Sequence, residues 1–165
     1  ARILARYGGP LRLFVVHFTD IQTAIHQNCQ PGLGVTIMRR MMFRVAERLA
    51  EQTGALALVT GENIGQVASQ TLESLRTIAA VAQRPVLRPL AGFDKEEIVE
   101  LAQRIGTFAT SVLPYEDCCS LFVPKHPRTK PTIEEAERAE QPLAIDSLIA
   151  SALERTETLV LPAPP

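Results

Sequence analysis

The sequence has few cysteines and no long apolar run, and each lack removes a class of protein. No apolar run approaches the ~20 residues that a helix needs to cross a bilayer, so no membrane-spanning helix is expected. Its three cysteines have no repeated spacing and predict neither a disulfide framework nor a four-ligand zinc site. The opening residues, ARILARYGGP, lack the apolar core and cleavage site of a signal peptide. We therefore expect a cytoplasmic protein in a reducing compartment, with no membrane partner.

An excess of basic charge is missing as well. The chain carries 17 basic and 18 acidic residues, a net charge of −1. Nucleic-acid-binding proteins usually have a basic excess or stripe, so the charge argues mildly against this segment binding RNA alone. With 165 residues, 46% of them hydrophobic, the chain has the size and composition of one folded domain.

Short apolar runs predict strands that alternate with helices. Two runs predict buried strands: LRLFVVHF (Leu11 to Phe18) and ALALVT (Ala55 to Thr60). RPVLRPL (Arg84 to Leu90) predicts a short third strand with prolines at its margins. TLVLP, near the end, predicts an edge strand. This alternation indicates an α/β fold, a parallel sheet with flanking helices. Ligands bind such sheets at the carboxyl ends of the strands, here at VTGEN and after VLRPL.

Helical periodicity and capping signals fill the segments between the strands. The first two predicted helices run from Asp20, its N-cap, to about His26 and from Val35 to about Glu51, where Gly54 closes the helix. A long helix follows GENIG and carries Val67 through Ala82, and another runs from Asp94 to Ile105. An acidic, exposed helix begins at Thr132, and a last helix runs from Ile145 to Leu153. Asp94 with Glu97 and Thr132 with Glu135 form capping-box patterns. Ala1 to Tyr7 resembles the tail of a helix, so we expect a strand and helix upstream. We divide the chain at residues 1–131 and 132–165, the second part being a helical extension with a proline-rich tail.

The segment VTGENIGQVASQT (Val59 to Thr71) is the first candidate for binding. Gly61 follows a strand, where a missing side chain lets the backbone approach a ligand. Polar groups follow at the start of the predicted helix, where free N–H groups suit a phosphate: Glu62, Asn63 and Gln66. Gln70, four residues beyond Gln66, is expected on the same helix face. The alternative is a simple strand-to-helix turn with a polar flank, since neither GxGxxG nor a Walker loop is present.

The segment TIMRRMMFR (Thr36 to Arg44) combines methionines with adjacent arginines. We interpret the methionines as core residues of an amphipathic helix. Arg39 or Arg40 could contact a phosphate in a bidentate manner, or both could belong to a solvated helix face.

The segment PYEDCCSLFVPKHP (Pro114 to Pro127) places Cys118 beside Cys119. Acids before the pair oppose thiolate formation, whereas the basic residues after it favour thiolate formation if the loop folds back. A bond between adjacent cysteines is difficult to form, which favours a persulfide or mixed disulfide on one of them. His126 is a candidate acid-base group or a structural residue. Cys29 is interpreted as incidental.

Four segments resemble the adenylating domain of the bacterial tRNA 4-thiouridine synthetase family, also called the thiamine-biosynthesis sulfurtransferases: TIMRRMM, VTGENIGQVASQTLESL, RPLAGFDKEEIVELAQRIGT and PYEDCCSLFVPKHPRTKP. The resemblance extends from about Leu4 to about Pro131 and is weaker beyond Thr132. It implies a PP-loop pyrophosphatase fold of the adenine-nucleotide α-hydrolase type.

The resemblance also implies an activity and partners. Family members use ATP and Mg²⁺ to adenylate a uridine carbonyl oxygen in tRNA. A cysteine desulfurase supplies sulfur as a persulfide, and that sulfur displaces AMP to give 4-thiouridine. Some members also provide sulfur for thiamine thiazole. A homodimer is compatible with the resemblance but is not required by it.

Residue by residue, the family's nucleotide-contacting positions fall on Arg39, Gly61 and Gln70. Its persulfide-carrying cysteine aligns with Cys118, and Cys119 stays open as the alternative. The family's Ser-Gly-Gly-x-Asp-Ser loop, its tRNA-binding domains and its rhodanese-like extension are missing from this sequence. We therefore expect little activity from this segment alone. The competing hypotheses are a non-catalytic adenine-nucleotide-binding module and a thiol redox protein, the latter lacking the usual CxxC spacing.

Overall fold

The structure is a computed structural model that describes residues 1–67, 70–114 and 128–162. Its elements, in chain order, are α1 Ala5–Gly8, β1 Leu11–Val15, α2 Thr19–Asn28, a 3₁₀ turn Pro31–Leu33, α3 Gly34–Thr53, β2 Leu58–Val59, α4 Leu72–Ala79, β3 Val86–Leu87, α5 Lys95–Arg104, α6 Phe108–Ser111, α7 Ile133–Glu140, α8 Ile145–Glu154 and β4 Glu157–Leu161. Helices and strands of both pairing types make it an α/β chain. No helix in the described ranges is long and apolar enough to cross a membrane.

Helix α3 is the central element, and it contributes to both hydrophobic clusters. One cluster joins α3 to α2 and the C-terminal helices: Ile21, Ile25, Leu33, Ile37, Met38, Met41, Val45, Leu143, Ile149 and Ala152. The other joins α3 to β2 and α4: Phe43, Ala50, Leu58 and Ile78. The prediction that the methionines are core residues is confirmed, since Met38 and Met41 are buried and Met42 packs against the first cluster. Gly54 ends the helix in the left-handed region, at φ 69°.

The C-terminal helices pack on the same core. Thr132 and Glu135 form the predicted capping box at the start of α7. The expectation of an exposed α7 is wrong for one face, because Ala136 and Glu140 are buried. An acidic sequence does not reveal that one of its carboxylates meets arginines of another helix. The division of the chain at residue 131 stays a prediction.

Strands β2 and β3 form a parallel pair, in register Leu58 to Val86 and Val59 to Leu87. The second and third predicted strands are therefore confirmed as strands, although each is shorter than expected. The burial predicted for the second holds for Leu58 but not for Val59, which is exposed. TLVLP is also confirmed as part of a strand, β4.

The first predicted strand has a different partner and a different environment. Strand β1 pairs antiparallel with β4, from Leu11 opposite Leu161 to Val15 opposite Glu157. Its residues are half-buried or exposed, so the expectation of a buried strand in the parallel sheet is wrong. An apolar run indicates extended backbone but does not identify the strand that will pair with it.

Two helix starts also differ from the prediction. Helix α4 begins only at Leu72, with Thr71 as its N-cap, because the preceding backbone bonds to other loops. Helix α2 begins at Thr19 after Phe18, without a side-chain cap. Asp20 is not the N-cap; its carboxylate instead accepts from Arg155. Helix α5 follows Asp94 and its capping box with Glu97, as predicted.

Candidate functional site

The loops that leave the carboxyl ends of β2 and β3 lie side by side. Ile64 N donates to the carbonyl of Ala91 at 3.1 Å. The buried side chain of Asn63 donates through Nδ2 to the carbonyl of Leu90 at 2.8 Å and to that of Phe93. These bonds fix Asn63 and Ile64 against the loop after β3, and no helix forms there. They also place VTGEN and the segment after VLRPL at one edge, as the strand-end rule predicted.

Glu62 is the centre of this edge. Its side chain is only 5% exposed, and it accepts from two arginines. Arg39, from α3, contacts Oε1, whereas Arg88 Nε lies 2.6 Å from Oε2. Thr60 Oγ1 donates to the same Oε2 at 2.8 Å. The carboxylate therefore holds α3, β2 and β3 together at the point where the strands end.

Two guanidinium groups and one carboxylate meet in this cluster among the described residues. Burial lowers the pKa of Arg88 below its usual range, because desolvation disfavours the charged guanidinium. Arg88 Nη2 is buried and has no hydrogen-bond partner within the described residues. An anion would improve the electrostatics of such a cluster.

Gly61 and Gln70 flank the loop that contains Glu62. A Cβ placed on Gly61 would meet no atom within 4 Å, so the chain's own packing does not require glycine there. The carbonyl of Gln70 accepts from Gly65 N at 3.0 Å, which closes the loop back on itself. Gln70 Oε1 is buried and, in the part of the chain that the structure describes, accepts no hydrogen bond. Because α4 starts at Leu72, the expectation that Gln66 and Gln70 share a helix face is wrong, and the polar groups of residues 62–66 do not lie at a helix N-terminus.

A groove of about 520 Å³ runs between the two loops. Its lining comes from both of them: Asn63, Ile64, Gly65, Gln66, Ala91, Gly92, Phe93, Asp94 and Lys95. The lining combines apolar residues, among them Phe93, with polar and charged ones. Such a mixed surface suits a ligand that has a flat apolar part and an anionic part.

Arg39 and Arg40 are adjacent in sequence but contact different parts of the fold. Arg39 reaches Glu62 at the strand ends, as a site residue would. Arg40 is only 1% exposed and donates to Glu140 at 2.7 Å and to the carbonyl of Thr77 at 2.7 Å. It therefore lies neither on a solvated face nor at the strand ends. One step along a helix turns a side chain by about 100°, which is enough to send neighbours to different partners.

The cysteines divide between described and undescribed parts of the chain. Cys118 and Cys119 lie outside the described residues, as does His126. Cys29 packs against the first hydrophobic cluster, and burial together with the charge of Glu140 raises its pKa to about 11. At neutral pH its thiol is a poor nucleophile, which agrees with its interpretation as incidental.

Sequence reasoning missed Arg88 and the role of Glu62. Glu62 was singled out as a ligand-facing group, but it is buried by ion pairs. Arg88 was not singled out, although it directly follows β3 at the edge where ligands are expected. A signal was present, since a cation and an anion each follow one of two neighbouring parallel strands. Across residues 1–67, 70–114 and 128–162, no group of three or more histidine, cysteine or carboxylate side chains is arranged to hold a metal.

Comparisons with known proteins agree on one family. A model of the family described as "Thiamine biosynthesis protein (ThiI)" matches residues 1–145. The chain is 57% identical to a probable tRNA sulfurtransferase of Moorella thermoacetica over 97% of its own length and 41% of the relative's. It is 52% identical to a probable tRNA sulfurtransferase of Halothermothrix orenii, over 96% and 40%. A solved structure described as a 4-thiouridine synthetase–RNA complex with bound ATP superposes with a TM-score of 0.92 at 45% identity, over 97% of this chain and 42% of that one.

Proposed function

The chain belongs to the thiamine biosynthesis protein (ThiI) family, and from that premise we propose that it is the nucleotide-using and sulfur-transferring part of a tRNA sulfurtransferase. It spans about two fifths of the length of the curated relatives that it matches. The activity therefore belongs to the whole protein, which would make 4-thiouridine in tRNA. The observation that carries the proposal is the pair of arginines held by Glu62 at the strand ends, in a chain similar to a synthetase solved with RNA and bound ATP.

ATP is proposed to bind at the strand ends, against the groove between the two loops. Arg39 would contact a phosphate while Glu62 holds its guanidinium in place. Gly61 would allow the nucleotide close to the backbone, since the space a Cβ would take is open. Gln70 Oε1 is buried without a hydrogen-bond partner among the described residues, and it suits an N–H donor such as an adenine amino group. These residues fit a nucleotide in charge, shape and hydrogen-bonding capacity.

Sulfur is proposed to travel on Cys118, with Cys119 as the alternative carrier. The uridine carbonyl oxygen attacks the α-phosphorus of ATP and expels pyrophosphate, which turns that oxygen into part of a leaving group. The outer sulfur of the persulfide then attacks the ring carbon and expels AMP. A thiol must next supply two electrons to break the remaining S–S bond, leaving 4-thiouridine.

The finer parts of the assignment form part of the same proposal. The parallel pair β2–β3 would belong to a PP-loop pyrophosphatase sheet of the adenine-nucleotide α-hydrolase type. Since no metal cluster is formed among the described residues, Mg²⁺ would be held mainly by ATP itself, and no step is assigned to it. Transfer RNA, a cysteine desulfurase and a cytoplasmic location follow from the proposed reaction. A homodimer and a supply of sulfur to thiamine synthesis remain compatible with it.

The nucleotide site is tested by calorimetric titration of the whole protein with ATP. Arg39→Ala should weaken ATP binding by roughly 10- to 100-fold, the usual cost of a hydrogen bond to a charged group. Arg48→Ala is the matched control, because Arg48 lies on the same helix but is exposed and paired only with Glu51 at 3.7 Å. Equal affinities of the two variants would overturn the site.

The sulfur carrier is tested by incubating the whole protein with a cysteine desulfurase and cysteine, then mapping added sulfur by mass spectrometry. We expect a persulfide on Cys118, and loss of thiolation with retained ATP affinity in Cys118→Ser. Cys119→Ser is the comparison variant. A persulfide found on neither residue would overturn the assignment, and loss of ATP affinity in Cys118→Ser would make the segment structural.

A further inference from the structure

Helix α4 holds the segment that leads back from the cysteine pair. The four residues after the undescribed segment each have a partner. Three of these partners lie on α4 or its cap: Thr71 Oγ1 donates to the carbonyl of Thr129 at 2.5 Å, Lys130 Nζ lies 3.2 Å from Glu73 Oε1, and Thr77 Oγ1 donates to the carbonyl of Pro131 at 2.8 Å. Arg128 N donates to the carbonyl of Gly32 at 2.9 Å.

These contacts differ in how strongly they hold residues 129–131 to α4. The pair of Lys130 and Glu73 is exposed on both sides and contributes little. The bond from Thr77 is buried, and Pro131 is itself buried. Thr71 has two tasks at once, since its Oγ1 also accepts from Ser74 N at 3.1 Å and thereby caps α4. The hydroxyl groups of Thr71 and Thr77 therefore fix the segment to one helix.

Thr71 directly follows Gln70, the residue proposed to contact the nucleotide. We propose that the Thr71 hydroxyl is a positioning group that couples the nucleotide loop to the sulfur-carrying segment. This inference rests on the proposed function. The bond from Thr71 Oγ1 to Thr129 places the residue that follows Gln70 in direct contact with the chain that leads back from the cysteine pair.

Substitutions at Thr71 separate its two tasks. Thr71→Ser keeps the donor and the cap, and Thr71→Asn can supply both through its amide. Thr71→Asp keeps the cap but cannot donate when ionised, and Thr71→Val loses both. Thr77→Val removes the second hydroxyl without adding charge near Gln70. Thr23→Val is the matched control, because its hydroxyl also donates to a backbone carbonyl, that of Thr19, at 3.0 Å but on α2.

The experiment uses the whole protein, loaded with persulfide, and measures two quantities: the affinity for ATP and the single-turnover rate of tRNA thiolation. We expect Thr71→Asp, Thr71→Val and Thr77→Val to thiolate about 10- to 100-fold more slowly, the range that misplacing a reacting group can cost. Thr71→Ser, Thr71→Asn and Thr23→Val should thiolate at the original rate. ATP affinity should change less than threefold in Thr77→Val.

Two results would overturn the inference. One is an unchanged thiolation rate in Thr71→Val and Thr77→Val. The other is a loss of ATP affinity in Thr77→Val that matches its loss of rate, which would place the effect on nucleotide binding. Failure of the unsubstituted protein to bind ATP or accept sulfur would instead overturn the proposed function, so the two failures are distinguishable.

Discussion

Two buried glutamates, each bound by two arginines, occupy different parts of this molecule and behave differently. Glu140 lies between α7 and α3, and it accepts paired hydrogen bonds from Arg40 and Arg44 at 2.7–3.1 Å. Glu62 lies at the ends of the parallel strands, between Arg39 and Arg88. In the Glu140 cluster, here called the closed cluster, the carboxylate and the two guanidinium groups bond to one another inside the core. The Glu62 cluster, here called the open cluster, leaves the buried Arg88 Nη2 without a hydrogen-bond partner among the described residues.

Residue types alone do not distinguish these two clusters. Both are glutamate–arginine clusters, and Arg39 and Arg40 are even neighbours in sequence. Position distinguishes them, because the Glu62 cluster lies at the carboxyl ends of parallel strands, where such sheets bind ligands, whereas the Glu140 cluster lies between packed helices. Under the proposed function, we expect Glu140 to act on stability and Glu62 to act on ligand binding.

The largest expected effect is on the closed cluster. Glu140→Ala leaves two arginines without their carboxylate, one of them fully buried, and should lower the free energy of unfolding by about 3–5 kcal/mol. Denaturant unfolding measures this loss. The ATP affinity of the folded variant should stay within a factor of about two of the original, a difference under about 0.5 kcal/mol. A marked loss of affinity at full stability would break the distinction between the clusters.

The next effect concerns the open cluster. Glu62→Gln removes the charge that holds Arg39, and it should cost about 1.5–3 kcal/mol in ATP binding. Calorimetric titration measures this change, and unfolding of the same variant supplies the control. If Glu62→Gln destabilised the fold as much as Glu140→Ala while ATP affinity stayed constant, both glutamates would be structural.

Acid pH should reduce the stability that the closed cluster contributes to the fold. Burial acts to raise the pKa of Glu140, but hydrogen bonds and charge from Arg44 and Arg40 outweigh it, so the pKa is lowered in the fold. Its stabilising contribution is therefore full above the unfolded pKa of ~4.3 and is lost as the pH falls through the lower, folded value. The difference in unfolding free energy between the original protein and Glu140→Gln should shrink below that pH. A difference independent of pH down to acid unfolding would contradict this.

The smallest effect is expected at Cys29. Its raised pKa, about 11, leaves little thiolate near neutral pH, so Cys29→Ser should leave thiolation unchanged. Iodoacetamide labelling at pH 8, followed by mass spectrometry, should modify Cys29 more slowly than Cys118. Faster labelling of Cys29 would contradict its interpretation as incidental.

The sequence predicted the elements that depend on local signals. Capping boxes at Asp94 and Thr132, the C-terminal Gly54 and the methionine-bearing face of α3 are all set by residues within one or two turns. The partner of β1 and the late start of α4 were missed, because both depend on distant groups. Residues 61–64 are polar enough to start a helix, yet their hydrogen bonds go to the loop after β3.

The site was predictable to a similar degree. The strand-end rule located its edge, and the resemblance supplied Arg39, Gly61 and Gln70, whose roles stay proposals. The pairing of Glu62 with Arg88 requires that two loops meet in space, and no spacing along the chain encodes that contact. The different partners of Arg39 and Arg40 likewise depend on which carboxylate lies opposite each face of α3, and the sequence does not show this.

The antiparallel pairing of β1 with β4 has a consequence for biosynthesis. Val15 pairs with Glu157, so 141 residues must be translated between the two strands before the first can find its partner. At about 5–20 residues per second, the ribosome needs roughly 7–28 s for that interval. During that time β1 has an unpaired edge that carries the apolar side chains of Leu13 and Val15. This pairing should be among the last events of folding, and the nascent chain should be most prone to aggregation before it forms.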